Sequence, residues 1–192
     1  MNHEDFFYSC SKEYIQSIDT SLYSEVSEII SRLPKRQKQE EINNDLFWLL
    51  TGKGWSYDTL GNISDAPPME IGVTGLSKSI VSKNNNRSLC ITSTTLTASW
   101  HSDFGKAYGA NLVQIEAQFG KVGSMFKDFC GFRIAGHERR LALGIEIVLS
   151  EPYKYFSHRK NAVGGMAYFD IAKSTLPAIG LNCPIWLIGI KE

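Results

Sequence analysis

Apolar residues at Ile15, Ile18, Leu22, Val26, Ile29 and Leu33 recur in steps of three and four. That spacing lines them along one stripe of an α-helix. A helix is therefore predicted over residues 14–33, stopped by Pro34, which cannot extend the backbone ladder. A second helix is predicted over residues 35–50, opening as "KRQKQEE", turning apolar at "LFWLL" and broken by the glycines of "TGKGW". Residues 58–68 read as a loop and 69–73 as a short strand. Residues 82–88, "SKNNNRS", read as a polar turn.

The period changes in the second half of the chain. "LCITSTTLTASW", residues 89–100, is rich in β-branched side chains and predicts a strand. A turn is expected at Gly105 and Gly109, and a strand over residues 112–119. Val122, Met125, Phe126, Phe129 and Arg133 then return to helical spacing. "LALGIEIVL" (residues 141–149) and the closing "CPIWLIGI" are apolar runs short enough to be buried strands. Residues 151–173 look irregular, polar and aromatic. Helices, strands, a helix and strands again predict an α/β fold, a central mixed β-sheet flanked by helices. Neither a repeat nor a linker divides the chain, so residues 1–192 are read as a single domain.

Composition narrows the function classes. The 192 residues carry 20 basic and 20 acidic side chains, a formal net charge of +0. A global excess of cations is thus excluded as the basis of polyanion binding, although a basic face is not. Cys10, Cys90, Cys130 and Cys183 show no metal-binding or paired spacing and read as free thiols in a reducing compartment. With no apolar leader or membrane-length run in the sequence, a cytoplasmic location is expected. "TGKG" lacks P-loop spacing. His101 and His137 have no partner at a metal-binding interval and read as structural.

The candidate chemistry lies in "VQIEAQFGKVGSMFKDF", residues 113–129. On a strand, Glu116 and Gln118 point to one face and Ile115 and Ala117 to the other. Asp103 is the only acidic residue between Ile71 and Ile115, so a second carboxylate from the preceding strand or turn would have to be Asp103. Two carboxylates meeting at a strand end repel unless a cation lies between them. Oxygen donors without histidine or thiolate suit a hard ion, Mg²⁺ above all. Such an ion polarises a phosphodiester and stabilises the leaving oxygen. Gln118 is expected to orient the attacking water, since an amide is neither a strong base nor a charge carrier. Taken alone, a Glu-x-Gln pair is also an ordinary feature of a solvent-facing strand edge.

At these residues the sequence resembles the BglII/BstYI-like type II restriction endonucleases of the PD-(D/E)XK nuclease superfamily. That group follows an Asp with a strand bearing Glu-x-Gln or Glu-x-Glu, where most of the superfamily has Glu-x-Lys. "IEAQFGKVGSMFKDF" resembles the group's strand and following helix. "GIEIVL", "WLIGI" and the N-terminal "EEINNDLFWLLTGKGW" match it in order and character. The PD dipeptide is absent, and Asp103 and Glu116 are more widely separated than in the group.

The resemblance implies catalytic Asp103, Glu116 and Gln118, with Asp103 and Glu116 as Mg²⁺ ligands. It also implies a homodimer that cuts double-stranded DNA at a short palindrome, often built around GATC. A cognate DNA methyltransferase is the expected genetic partner of such a restriction-modification system. Glu41 (or its neighbour Glu40) and Lys121 are candidate supporting residues, Lys121 through a phosphate. "YKYFSHRKNAVGG" supplies candidate DNA contacts in Lys154, His158, Arg159, Lys160 and Asn161, because Arg reads guanine, Asn reads adenine and Lys suits phosphate. "SKNNNRS" is a second candidate reading loop. Two rivals remain open on the sequence: a sequence-specific DNA-binding module or inactive nuclease relative, and a structure-specific repair nuclease on the same fold.

Overall fold

The computed structural model describes residues 1–96, 100–139, 141–156 and 164–191. Its strands are β1 (Asn2–Tyr8), β2 (Ser56–Tyr57), β3 (Phe104–Tyr108), β4 (Asn111–Ala117), β5 (Leu141–Leu149) and β6 (Ile185–Lys191). They form one six-stranded sheet in the order β1-β6-β5-β4-β3-β2. The β4–β5 and β5–β6 pairs are parallel, and β1–β6, β3–β4 and β2–β3 are antiparallel. The predicted mixed sheet flanked by helices is thus the observed architecture.

Helices α1 (Lys12–Ile18), α2 (Leu22–Ser31) and α3 (Gln39–Gly52) cover one face. Their buried side chains pack with Val113, Ile115, Leu143, Ile145, Ile147, Trp186 and Ile188. Helices α5 (Val122–Glu138) and α7 (Phe169–Ala178) cover the other face, packing on Leu112, Val148, Ile185 and Leu187. Alternation along the strands therefore feeds two separate cores. Short α4 (Lys78–Asn84) and α6 (Pro152–Tyr155) lie in the connections.

Polar staples tie the N-terminal helices to the sheet. Glu25 of α2 accepts hydrogen bonds from Trp55 Nε1 (2.8 Å), Lys106 Nζ (2.8 Å) and Tyr108 Oη (3.0 Å). Asp5 of β1 accepts from Tyr23 Oη and Trp186 Nε1, both at 2.9 Å. Asp45, buried in α3, holds Arg36 through Nε (2.6 Å) and Nη2 (3.2 Å).

Several predicted elements differ from those observed. The helix expected over residues 14–33 is two helices, because Asp19 turns extended and its carboxylate takes the amide and hydroxyl of Ser21. The expected strand at 69–73 is a 3₁₀ turn, Met69–Ile71, ended by Gly72 at φ 64°. The polar turn expected at 82–88 holds the end of α4 and the start of another 3₁₀ turn, Arg87–Leu89.

Residues 89–100 do not form the expected strand. The described part folds back, with Thr92 giving both its amide and its hydroxyl to Trp100 O. The Ser93, Thr94 and Thr95 hydroxyls clasp the Glu138 carboxylate at the end of α5. Hydroxyl groups that satisfy the chain locally compete with a strand ladder. The irregular stretch expected at 151–173 contains α6 and the start of α7. β1 was not anticipated, because an edge strand opening with His-Glu-Asp shows little apolar alternation.

Gly105 lies inside β3 rather than in a turn, while Gly109 (φ 61°) makes the hairpin bend. A Cβ on Gly105 would meet the Leu89 carbonyl oxygen at 2.2 Å, and a backbone atom cannot swing aside. Gly105→Ala should therefore lower stability by about 2 kcal/mol, as overpacking does, and shift the urea midpoint down. An unchanged midpoint would contradict this packing.

Candidate metal-carboxylate site

The β3–β4 hairpin decides where the predicted residues meet. Phe104 pairs with Ile115, so Asp103, just before β3, falls opposite Glu116. The Asp103 amide donates to Glu116 Oε2 (3.3 Å), and the Ala117 amide donates to Asp103 Oδ2 (2.9 Å). Each carboxylate is thus tied to backbone at the other's position. The long connection between them is absorbed by the hairpin, which still brings Asp103 to Glu116. Both lie at the carboxyl end of β4, the end of a parallel sheet where α/β folds place ligands.

Asp103 is open to solvent and shares the wall of a cleft of about 250 Å³ with Phe104, Ala117, Glu40, Asn43 and the loop from Asp58 to Ile63. Glu40, not Glu41, lines this cleft. Glu41 faces Lys38 across 3.9 Å and an adjoining groove with Arg36. At the rim, the Asp58 amide donates to Asp103 O (3.1 Å), and the Asp58 carboxylate holds Arg87 Nε (2.7 Å) and His101 Nδ1 (2.8 Å). His101 accordingly has a structural partner.

Gln118 shares the α5-facing side with Glu116, as the alternation predicts. Its Nε2 donates to Asp128 Oδ2 (2.9 Å), and its Oε1 accepts from the Gly120 amide (2.9 Å). The amide therefore fixes the turn into α5, leaving one N–H and one lone pair for other work. Lys121 caps the N-terminus of α5, exposed, and bridges to Met166. Lys154 is paired with Glu151 at 2.7 Å. His158, Arg159, Lys160 and Asn161 lie outside the described residues.

Two neighbours escaped sequence reasoning. Glu146 of β5 is the parallel-strand partner of Glu116 and has no exposed surface. Asp128 of α5 is buried above both strands. Each left a trace in the sequence: Glu146 is a lone charge in "LALGIEIVL", and Asp128 falls beside Met125, Phe129 and Phe132 on the apolar stripe.

Burial dominates the electrostatics here. It pushes the Glu116 carboxyl well above its ordinary range, with the charges of Asp103 and Asp128 adding to the rise. Glu146 is raised in the same way, by burial first and then by Asp128, Glu116 and Asp103. Asp128 rises to about 6, mainly through burial and against the Gln118 hydrogen bond. Asp103 is also raised by the protein crowding it and by Asp58, while its open face to the cleft moderates the effect.

The donor chemistry, carboxylates without thiolate or imidazole, fits a hard divalent cation. Among the described residues no three His, Cys, Asp or Glu side chains are drawn together to hold an ion. Mg²⁺ does not require such a cage, since it commonly binds through one or two carboxylates, water and substrate phosphate. Asp103 and Glu116 fit that mode.

A helix-flanked mixed sheet with paired carboxylates at the end of a central strand is a restriction-endonuclease-like fold. The chain belongs to a particular family within it, since the model described as "Restriction endonuclease BglII/BglIII" matches residues 5–190. It is a type II restriction endonuclease, a nuclease of double-stranded DNA. A search of curated proteins returns no match. Among the described residues, no helix is long and apolar enough to cross a membrane.

An acid that holds its proton more tightly when folded adds stability below its unfolded pKa and loses it as pH rises through the folded value. For Asp128 that window runs from 3.8 to about 6, and Glu116 and Glu146 extend it upward. The metal-free protein should therefore lose stability from about pH 4 to beyond pH 6, with a shallower decline in Glu146→Gln. Urea midpoints across this range measure it. A wild-type midpoint that climbs, or an identical decline in Glu146→Gln, would contradict these shifts.

Proposed function

We propose that this endonuclease hydrolyses duplex DNA with Mg²⁺ at a short palindromic site, one containing GATC. The observation that carries the reading is the Asp103–Glu116 pair, tied across β3 and β4 and opening on a cleft. Asp103 and Glu116 would hold the ion. When bound, Mg²⁺ supplies positive charge at the scissile phosphate and eases deprotonation of water.

The protein's own residues do the rest. Asp103 faces the cleft, where a phosphate would approach. Glu116 lies behind it, its Oε2 anchored by the Asp103 amide, so its second oxygen is free for the cation or for the nucleophilic water. Gln118 acts as a positioning residue, joining β4 to α5 through Asp128 and Gly120, and its remaining N–H can orient water. Glu40 is placed to support the cleft from α3. Lys121, at an exposed helix start, suits a backbone phosphate. The segment containing Lys154, His158, Arg159, Lys160 and Asn161 is the proposed DNA contact.

A homodimer is proposed because cutting both strands of a palindrome calls for two related sites. A cognate methyltransferase encoded nearby, and action in the cytoplasm, complete the reading.

Glu116→Ala should cut cleavage by more than about 100-fold while leaving the circular dichroism spectrum and thermal transition folded. A variant that folds and cleaves like wild type would overturn the assignment. Wild-type protein that binds a specific DNA site and never cuts it with Mg²⁺ would favour the binding-module reading, which the missing strand lysine otherwise supports.

A further inference from the structure

Glu146 has no exposed surface, and neither carboxylate oxygen has a hydrogen-bond partner. Parallel pairing sets it beside Glu116 on the α5-facing side of the sheet. Asp128 descends from α5 onto the same patch and is held by Gln118 Nε2. None of the ion pairs among the described residues involves Glu146 or Asp128. An unpartnered carboxylate in an apolar interior costs several kcal/mol. It is relieved by a proton or by a cation.

We propose that Glu146, Asp128 and Glu116 take up a divalent cation on the α5 side of the sheet. This inner site is separate from the cleft where Asp103 stands, and Glu146 is the ligand that defines it. The inference rests on the nuclease reading above for Glu116 alone; Glu146 and Asp128 have no part in that reading.

The donors are three carboxylates on three elements, β4, β5 and α5. Hard oxygen ligands select Mg²⁺, Mn²⁺ or Ca²⁺. Glu146 brings two free oxygens. Asp128 must release Gln118 to join it, since the three do not yet enclose one point. The inner ion neutralises the patch behind Glu116 and so lets Glu116 and Asp103 both remain ionised at the cleft. Its occupation also frees the Gln118 amide, linking the inner site to the residue beside the scissile phosphate.

The test is to count Mn²⁺ bound by the wild-type protein without DNA, using electron paramagnetic resonance and calorimetry, beside Glu146→Gln, Asp128→Asn and Asp103→Asn. Wild type should show two classes of site. Glu146→Gln and Asp128→Asn should weaken one class by about tenfold or more and keep the other. Asp103→Asn should weaken the class that Glu146→Gln keeps. Ca²⁺ should raise the thermal midpoint of wild type more than that of Glu146→Gln.

Mn²⁺ binding by Glu146→Gln that matches wild type overturns the inner site and leaves the Asp103–Glu116 reading standing. No Mn²⁺ binding by wild type overturns both. If Glu146→Gln fails to fold, Glu146→Met replaces it: an apolar side chain of similar length should stabilise the metal-free protein while still losing the inner class. A Glu146→Met protein that keeps both classes overturns the inner site equally.

Discussion

The pairing of β4 with two different neighbours governs the site. On one side it runs antiparallel to β3, which sets Asp103 across from Glu116. On the other it runs parallel to β5, which sets Glu146 beside the same residue. Side-chain alternation has a period of two, so a one-residue slip in either pairing would send these carboxylates to the opposite face. The surrounding fold defends that register. Val113 and Ile115 are fully buried against α1–α3, and Phe129 and Phe132 of α5 close the other face. Gly105 also allows the Leu89 backbone to lie against β3.

The same register creates the electrostatic problem that defines the chemistry. Four carboxylates, from Asp103, Glu116, Asp128 and Glu146, act on one another, and three of them are buried. Apolar packing alone gains nothing from such a cluster, which raises every pKa within it and destabilises the metal-free protein as pH rises. A divalent cation and the phosphate it attracts reverse that balance. The stability of this region and its function are therefore linked through one ion.

How much of this was legible in the sequence depended on the range of the interactions. The sheet, the 141–149 strand, α5 and the shared face of Glu116 and Gln118 follow from local periodicity, and all are observed. The meeting of Asp103 with Glu116 depends on a hairpin whose register spacing cannot fix. The strand expected at 89–100 failed because its serine and threonine hydroxyls clasp Glu138 and Trp100, contacts made by distant or folded-back chain. β1 was missed because its alternation is masked by His3, Glu4 and Asp5, and Asp5 finds its partners, Tyr23 and Trp186, far along the sequence. Asp128 and Glu146 were visible as charges in apolar patterns. Their convergence on Glu116 required the fold.

The central claim is that these carboxylates make a metal-dependent, site-specific endonuclease. The most direct measurement is to incubate the purified protein with unmethylated phage DNA in Mg²⁺ and in EDTA, separate the products on a gel and sequence the ends. Discrete fragments in Mg²⁺ alone, with one short palindrome at every end, are the predicted result. Intact DNA under both conditions, or cutting that persists in EDTA, would contradict it.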